Sequence, residues 1–269
     1  MKKLDHLKNI FNNYDHFIID LWGVVHNGVK LNEGAMKTIE ELYNNKKNYV
    51  FLSNAPRPVN DVRKFLIEKM QINKKFLNNI LTSGEAAINS IKNFSYGKLF
   101  FHLGPERDSK IFEGLENHKT DLQKCDYILC TGLYDSEMDK LNFYEKLLEN
   151  STDKKMICTN PDLIVDRGNI QEYCAGSIAK LFEKIGGEVV YFGKPYPEVY
   201  NQSTNNKNKK ILSIGDNLNT DIKGANLLNY DSLIISNGIH KDEIKEKGIE
   251  KVAKSYEAIC NYIQSELKW

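Results

Sequence analysis

The 269 residues carry 37 lysines and arginines against 36 aspartates and glutamates, a net charge of +1, and 41% of them are hydrophobic. That is enough apolar material for one large α/β domain or a core with an inserted second domain, and the balanced charge gives no bulk attraction to nucleic acid or a membrane surface. No apolar run approaches the ~20 residues needed to cross a bilayer, and Met1-Lys2-Lys3-Leu4-Asp5 lacks the apolar stretch of a secretory signal, so a soluble, cytoplasmic protein is expected, with a small polar ligand left open.

Residues 1–15 place Leu4, Leu7, Ile10 and Phe11 at helical spacing and predict a short lead-in helix. Phe17-Ile18-Ile19 then reads as a buried parallel strand ending at Asp20, at the carboxyl end where open α/β sheets place their ligands. The turn-rich segment 24–32, with His26, Asn27 and Gly28, predicts a hairpin-like flap over that strand end. A helix from Gly34 and a second buried strand, 48–54, follow. This strand ends in Ser53-Asn54 ahead of Ala55-Pro56-Arg57-Pro58, where prolines suit an incoming helix.

Strand alternating with helix implies right-handed crossovers and a parallel sheet, so Asp20 and Ser53 share one edge. From Leu81 the alternation repeats, with helices near 84–93, 106–116, 139–149 and 171–185 and strands at 98–103, 126–130 and 156–159, enough for a second α/β unit. The last third returns to marked strands: Val189 to Gly193 before Lys194-Pro195, Ile211 to Gly215 before Asp216, and Ser232 to Ser236. Helices near 241–247 and 255–267 close the chain. The Asn- and Lys-rich stretches 44–47 and 205–210 read as solvated loops. Cys125, Cys130, Cys158, Cys174 and Cys260 show no metal-ligand spacing and read as reduced, buried thiols.

Gathered at one sheet edge, these strand ends supply carboxylates, a hydroxyl with neighbouring amides, and a lysine. Asp20 and Asp216 could share Mg²⁺, which takes one or two carboxylates and keeps waters and substrate phosphate. Ser53 and adjacent backbone N–H groups could hold phosphate oxygens, with Lys194 as a compact counter-charge. The set suits phosphoryl transfer, with a carboxylate as nucleophile. The plainer alternative is that Ser53, Asn54, Asp216 and Asp221 cap helices and that Lys194 is solvated.

Asp20-Leu-Trp-Gly-Val, Leu52-Ser53-Asn54, Gly193-Lys194-Pro195 and Gly215-Asp216-Asn-Leu-Asn-Thr-Asp221 resemble the four motifs of the haloacid dehalogenase superfamily. With Leu81-Thr-Ser-Gly and Thr159-Asn160-Pro-Asp162, they are similar to its class IIA, NagD-like and nitrophenylphosphatase-like branch. The resemblance implies a Rossmann-like core from residues 1–81 and 189–269 with an α/β cap domain inserted over 82–188. It implies Asp20 as nucleophile, phosphate binding by Ser53 and the Asn54 amide, and Lys194 steadying both. Mg²⁺ would be held by Asp20, Asp216 and the carbonyl of Trp22, with Asp221 behind them. Asn160 and Asp162 would face the leaving group.

One position departs from the family. The usual motif is Asp-x-Asp, its second Asp serving as acid and base; here that residue is Trp22, whose indole exchanges no proton in this range, a loss typically worth ~10²–10⁴-fold. The options are a slow Mg²⁺-dependent hydrolase of phosphate monoesters, a substitute acid or base such as His26, or a binder of a phosphorylated metabolite without useful turnover. The plainer reading of His26 is a turn residue of the flap, and Trp22 could shield substrate or pack under the cap. A flavodoxin-like nucleotide module is disfavoured by the lack of Gly-x-Gly-x-x-Gly after the first strand. The expected partner is a small phosphorylated metabolite, with a homo-oligomer left open.

Overall fold

The computed structural model describes the whole chain except residues 139, 168–169 and 205–208. Part of the loop expected at 205–210 therefore lies outside the described residues. Among the described residues, strands run at β1 (Lys2–Lys3), β2 (His16–Ile19), β3 (Asn48–Ser53), β4 (Ile80–Thr82), β5 (Phe100–Leu103), β6 (Tyr127–Cys130) and β7 (Lys155–Cys158). They continue with β8 (Ile164–Arg167), β9 (Ile170–Tyr173), β10 (Glu188–Tyr191), β11 (Ile211–Gly215), β12 (Asp231–Ile235) and β13 (Tyr262–Gln264).

Seven of these form one sheet in the order β1-β13-β12-β11-β2-β3-β4, with every pairing parallel. Its apolar residues divide by the two-residue period of a strand. Phe17, Ile19, Phe51, Leu212 and Ile214 pack on one face with Ala35, Ile39 and Leu42 of the helix Glu33–Asn44. Ile18, Val50 and Leu52 pack on the other with Ala86, Ala87 and Ile91 of the helix Ser83–Ile91. Both faces are thus covered, which is why these strands read as continuous hydrophobic runs. The chain proceeds from β2 to β3 on one side and from β11 to β12 on the other, so the crevice at the carboxyl ends of β11, β2 and β3 is the switch point where such sheets bind ligands.

A four-stranded parallel sheet, β10-β7-β6-β5, and the antiparallel hairpin β8-β9 lie between the two halves of the large sheet in sequence. The strand expected to open the returning core segment at 189 is a correction, because β10 pairs in register with β7 and completes the four-stranded sheet. Its run of Val189, Val190 and Tyr191 is contiguous with Gly193-Lys194, and only the long-range pairing reveals which sheet it joins.

Other expectations also give way. The lead-in helix is instead β1 followed by 3₁₀ turns at Leu7–Asn9 and Phe11–Asn13, and the helix expected at 255–267 is replaced by β13. The two chain ends pair with each other, Lys2 with Tyr262 and Lys3 with Ile263, and the Leu7 N–H donates to the Lys268 carbonyl. These contacts override weak local helix propensity. The segment 106–116 is 3₁₀ over Glu106–Phe112, and 171–185 divides into β9 and the helix Ala175–Lys184. All five cysteines are free and buried.

Candidate active site

Asp20 follows β2, Asp216 follows β11 and Ser53 ends β3, three adjacent strands of the large sheet, so their side chains converge at one edge. The Asp20 N–H donates to the Ile214 carbonyl (2.9 Å), which locks the nucleophile candidate to the neighbouring strand. Lys194 arrives from the segment between β10 and β11. Its Nζ donates to Asp20 Oδ1 at 2.5 Å and to Asp221 Oδ1 at 2.6 Å, and only 2% of the residue is exposed. The solvated role weighed for Lys194 is therefore excluded.

Carboxylate oxygens of Asp20, Asp216 and Asp221 all lie within 4.8 Å of one another. If ionised, three carboxylates facing one ammonium leave two negative charges without a partner from the chain, a costly arrangement out of water. The titration behaviour follows. Burial and the Asp221 charge push Asp216 up to about 7. Burial, with the Asp221 and Asp216 charges, also pushes Asp20 up while Lys194 pulls it down. Burial opposes the Lys194 ammonium, yet the Asp20 and Asp221 carboxylates hold it charged, well above the ordinary lysine range.

The carboxylates are placed by backbone. Asp216 Oδ2 accepts from the Ile239 N–H (2.8 Å), and Asp221 Oδ2 accepts from the Asn217 N–H (3.2 Å) across the π-helical turn Leu218–Ile222. Glycine is required beside them: a Cβ on Gly23 or Gly238 would lie 2.0 or 2.1 Å from Asp216 Oδ2. His240, which carries no motif, accepts from the Leu218 N–H and buttresses the same loop. The only local hint of that buttress was Asn237-Gly238 at the end of an apolar strand.

Asn54 is a structural clamp, not a helix cap. Its Oδ1 accepts from the Lys194 N–H (2.7 Å), and its Nδ2 donates to the Lys194 carbonyl (3.0 Å) and to Asp162 Oδ1 (3.1 Å). Ser53 is buried, and its Oγ accepts from the Ala55 N–H (3.2 Å), shaping the turn after β3. Asp162 belongs to the loop after β7, so the four-stranded unit reaches the same edge. Asn160 is there too, but its Oδ1 accepts from the Asp162 N–H and shapes that loop.

Trp22 packs under the inserted unit. Its Nε1 donates to the Asp166 carbonyl on β8 at 2.6 Å, and its ring lies over Gly28, where a Cβ would approach it to 2.5 Å. His26 stands edge-on to Trp22 and Phe65, and its Nδ1 accepts from the Gly28 N–H (3.0 Å). Burial lowers it to about 4, so the imidazolium is scarce near neutrality. An antiparallel, hairpin-like bridge joins His26 to Leu31, as the flap reading expected, and a parallel bridge joins Trp22 to His26.

Above the carboxylates opens a cavity of about 700 Å³, with Trp22, Phe65, Leu133 and Tyr173 on apolar walls and Arg57 and Arg107 nearby. It is far larger than a phosphate needs.

This sheet order, with its polar strand ends and inserted α/β unit, is the architecture of the haloacid dehalogenase-like hydrolases. The sequence pattern of haloacid dehalogenase-like hydrolases matches residues 17–117, and a second, HAD-hydrolase-like pattern matches residues 191–262. The chain belongs to that superfamily. It is 25% identical over 248 residues to a protein named acid sugar phosphatase from Staphylococcus saprophyticus, covering 88% of this chain and 92% of that one. Among solved structures, it resembles a haloacid dehalogenase-like hydrolase from Brucella suis with a TM-score of 0.83 and 28% identity, covering 98% of this chain and 99% of that one. It shares the fold of a p-nitrophenyl phosphatase from Archaeoglobus fulgidus with a TM-score of 0.71 and 18% identity, covering 94% and 96% of the two chains.

Proposed function

We propose that this protein is a Mg²⁺-dependent hydrolase of phosphate monoesters that acts through an aspartyl-phosphate on Asp20. The observation that carries the reading is the Lys194 ammonium bonded at once to Asp20 and Asp221, with Asp216 in the same buried cluster. Residues 82–188 serve as the cap, extended through β10. The relatives named acid sugar phosphatase and p-nitrophenyl phosphatase point to the same activity. Among the described residues, no helix is long and apolar enough to cross a membrane.

The donor set fits Mg²⁺: the ligands are hard oxygens, and the two negative charges that Lys194 leaves unpaired match a divalent ion. Asp20 and Asp216, with the backbone carbonyl of Trp22, would hold it, since Asp221 is engaged by Lys194 and Asn217. When bound, the ion supplies charge neutralisation at the phosphoryl oxygens. The chain does the rest. Asp20 attacks phosphorus in line; Lys194 fixes the attacking carboxylate and faces the phosphoryl oxygens; Ser53 and the Asn54 amide orient the group. The inserted unit roofs the cavity and limits bulk water.

The substrate is a small phosphorylated metabolite, a sugar phosphate or nucleotide in size. Hydrolysis of nitrophenyl phosphate with and without Mg²⁺, in wild type and Asp20→Asn, tests this. Metal-dependent turnover lost in the variant is expected. Turnover that survives Asp20→Asn would overturn the mechanism. An ester that binds tightly but is never cleaved would favour the binder reading, which Trp22, lacking acid or base chemistry, also suits.

A further inference from the structure

Departure of an alcohol from phosphorus needs a proton donor beside the leaving oxygen, and Trp22 gives the first strand end none. The other carboxylates at the strand ends and on the inserted unit, and His26, are already engaged. Asp20, Asp216 and Asp221 form the cluster around Lys194. His26 is a packed neutral ring whose Nδ1 is occupied. Asp108 accepts from Arg57 Nε, Glu172 faces the Arg167 guanidinium at 3.5 Å, and Asp166 accepts from Gln171.

Asp162 is placed differently. Oδ1 accepts from the neutral Asn54 amide, a contact available to either protonation state, and no lysine or arginine forms an ion pair with it among the described residues. Its backbone is held on both sides: the N–H donates to Asn160 Oδ1 (3.0 Å) and the carbonyl accepts from the Gly176 N–H (3.1 Å). Gly176 is needed there, because a Cβ would lie 2.5 Å from the Asp162 carbonyl oxygen. Burial raises the carboxyl to about 6, against the pull of Lys194 and the Asn54 bond.

The position also suits the reaction. Asp20 sits on the floor formed by the large sheet, and in-line displacement puts the leaving oxygen on the opposite side of phosphorus, toward the inserted unit. Asp162 is on that unit. A continuous chain of contacts runs from Asp20 through Lys194 and Asn54 to Asp162, so floor and roof are in register.

We propose that Asp162, carried by the inserted unit, protonates the leaving oxygen and then takes a proton from the attacking water. In the first step the Asp20 carboxylate forms a bond to phosphorus. The phosphorus–oxygen bond to the alcohol breaks, its electron pair stays on that oxygen, and the Asp162 proton passes to it. In the second step water attacks phosphorus, loses a proton to the Asp162 carboxylate, and the electron pair of the breaking bond returns to Asp20. Atoms, charge and the proton on Asp162 are restored.

This inference rests on the phosphatase reading. Asp162→Asn tests it, since the amide oxygen can still accept from Asn54 while the transferable proton is lost. The kcat/KM for an alkyl phosphate such as a hexose phosphate, which reports the first step, should fall by ~10²–10⁴-fold, and the kcat/KM for nitrophenyl phosphate by far less, because nitrophenolate leaves without a proton. An equal loss of kcat/KM on both esters would overturn the proposal and make Asp162 a positioning residue; no loss on either would also overturn it.

A series of aryl phosphates on the wild type gives a second reading that needs no variant. Values of kcat/KM that vary little with the acidity of the departing phenol support protonation, and values that fall steeply as that acidity weakens contradict it. A wild type that cleaves neither ester removes the phosphatase reading itself, whereas a selective Asp162→Asn result on an active enzyme bears on Asp162 alone.

Discussion

Replacing Trp22 with phenylalanine removes one hydrogen bond between the large sheet and the inserted unit while keeping an aromatic ring over Gly28 and beside His26. The bond is short, Nε1 to the Asp166 carbonyl at 2.6 Å, and both partners are neutral. A neutral bond contributes ~0.5–1.5 kcal/mol net, and a buried acceptor left unpaired costs ~1–3 kcal/mol. Asp166 is half-buried, so the lower part of that range applies, about 1–2 kcal/mol, or roughly a 5–30-fold change in an opening equilibrium. The effect should be local. Among the described residues β8 and β9 pair only with each other, and their side chains are mostly half-buried or exposed, so little apolar burial holds the hairpin down. Amide hydrogen exchange followed on peptides spanning 163–174 should accelerate by ~5–30-fold in Trp22→Phe, with β2 and β11 unchanged. Wild-type exchange in the hairpin, or an acceleration spread evenly through the large sheet, would refute the idea that Trp22 latches the two units together.

Two other outcomes follow from buried charge. Lys194→Met leaves Asp20, Asp216 and Asp221 with no ion-paired cation among the described residues, and breaking a buried ion pair costs ~3–5 kcal/mol. Its urea midpoint at pH 7.5 without Mg²⁺ should drop accordingly, and a midpoint equal to that of wild type contradicts the described cluster. His26 and His102 are both lowered to about 4, by burial and, for His102, also by Lys119, against 6.5 in the unfolded chain. The unfolded chain therefore takes up protons first, so stability present above pH 6.5 is lost as pH falls toward 4. Melting temperatures scanned over that window should fall, and less steeply in His102→Gln, whose amide can keep a partner for Thr131 Oγ1. An unaltered slope would show that His102 is not buried neutral.

The site was more legible than its surroundings. Asp20, Ser53 and Asp216 each follow an apolar run, and parallel pairing alone puts such residues on one edge. Lys194 was marked by Gly193 and Pro195, although the strand before it belongs to the other sheet. What sequence could not show were pairings that join distant segments. β1 and β13 form only because the two chain ends meet, while spacing such as Leu4, Leu7 and Ile10 suits a 3₁₀ turn as well as an α-helix. The partner of Trp22 is 144 residues away, and those of Asn54 Nδ2 are 108 and 140 away. Nothing local to either residue announces those contacts. For the same reason the motif reading assigned Asn54 through its backbone amide and missed the side chain that clamps Lys194.

The central claim is a covalent bond between phosphorus and the Asp20 carboxylate. It can be tested by quenching the enzyme during turnover with Mg²⁺ and a phosphate monoester, reducing with borohydride, and sequencing the peptides by mass spectrometry, since an acyl phosphate is reduced where a free carboxylate is not. The account predicts homoserine at position 20 and at no other aspartate. A turning-over enzyme that yields none, or yields it at Asp162, Asp216 or Asp221 instead, would contradict it.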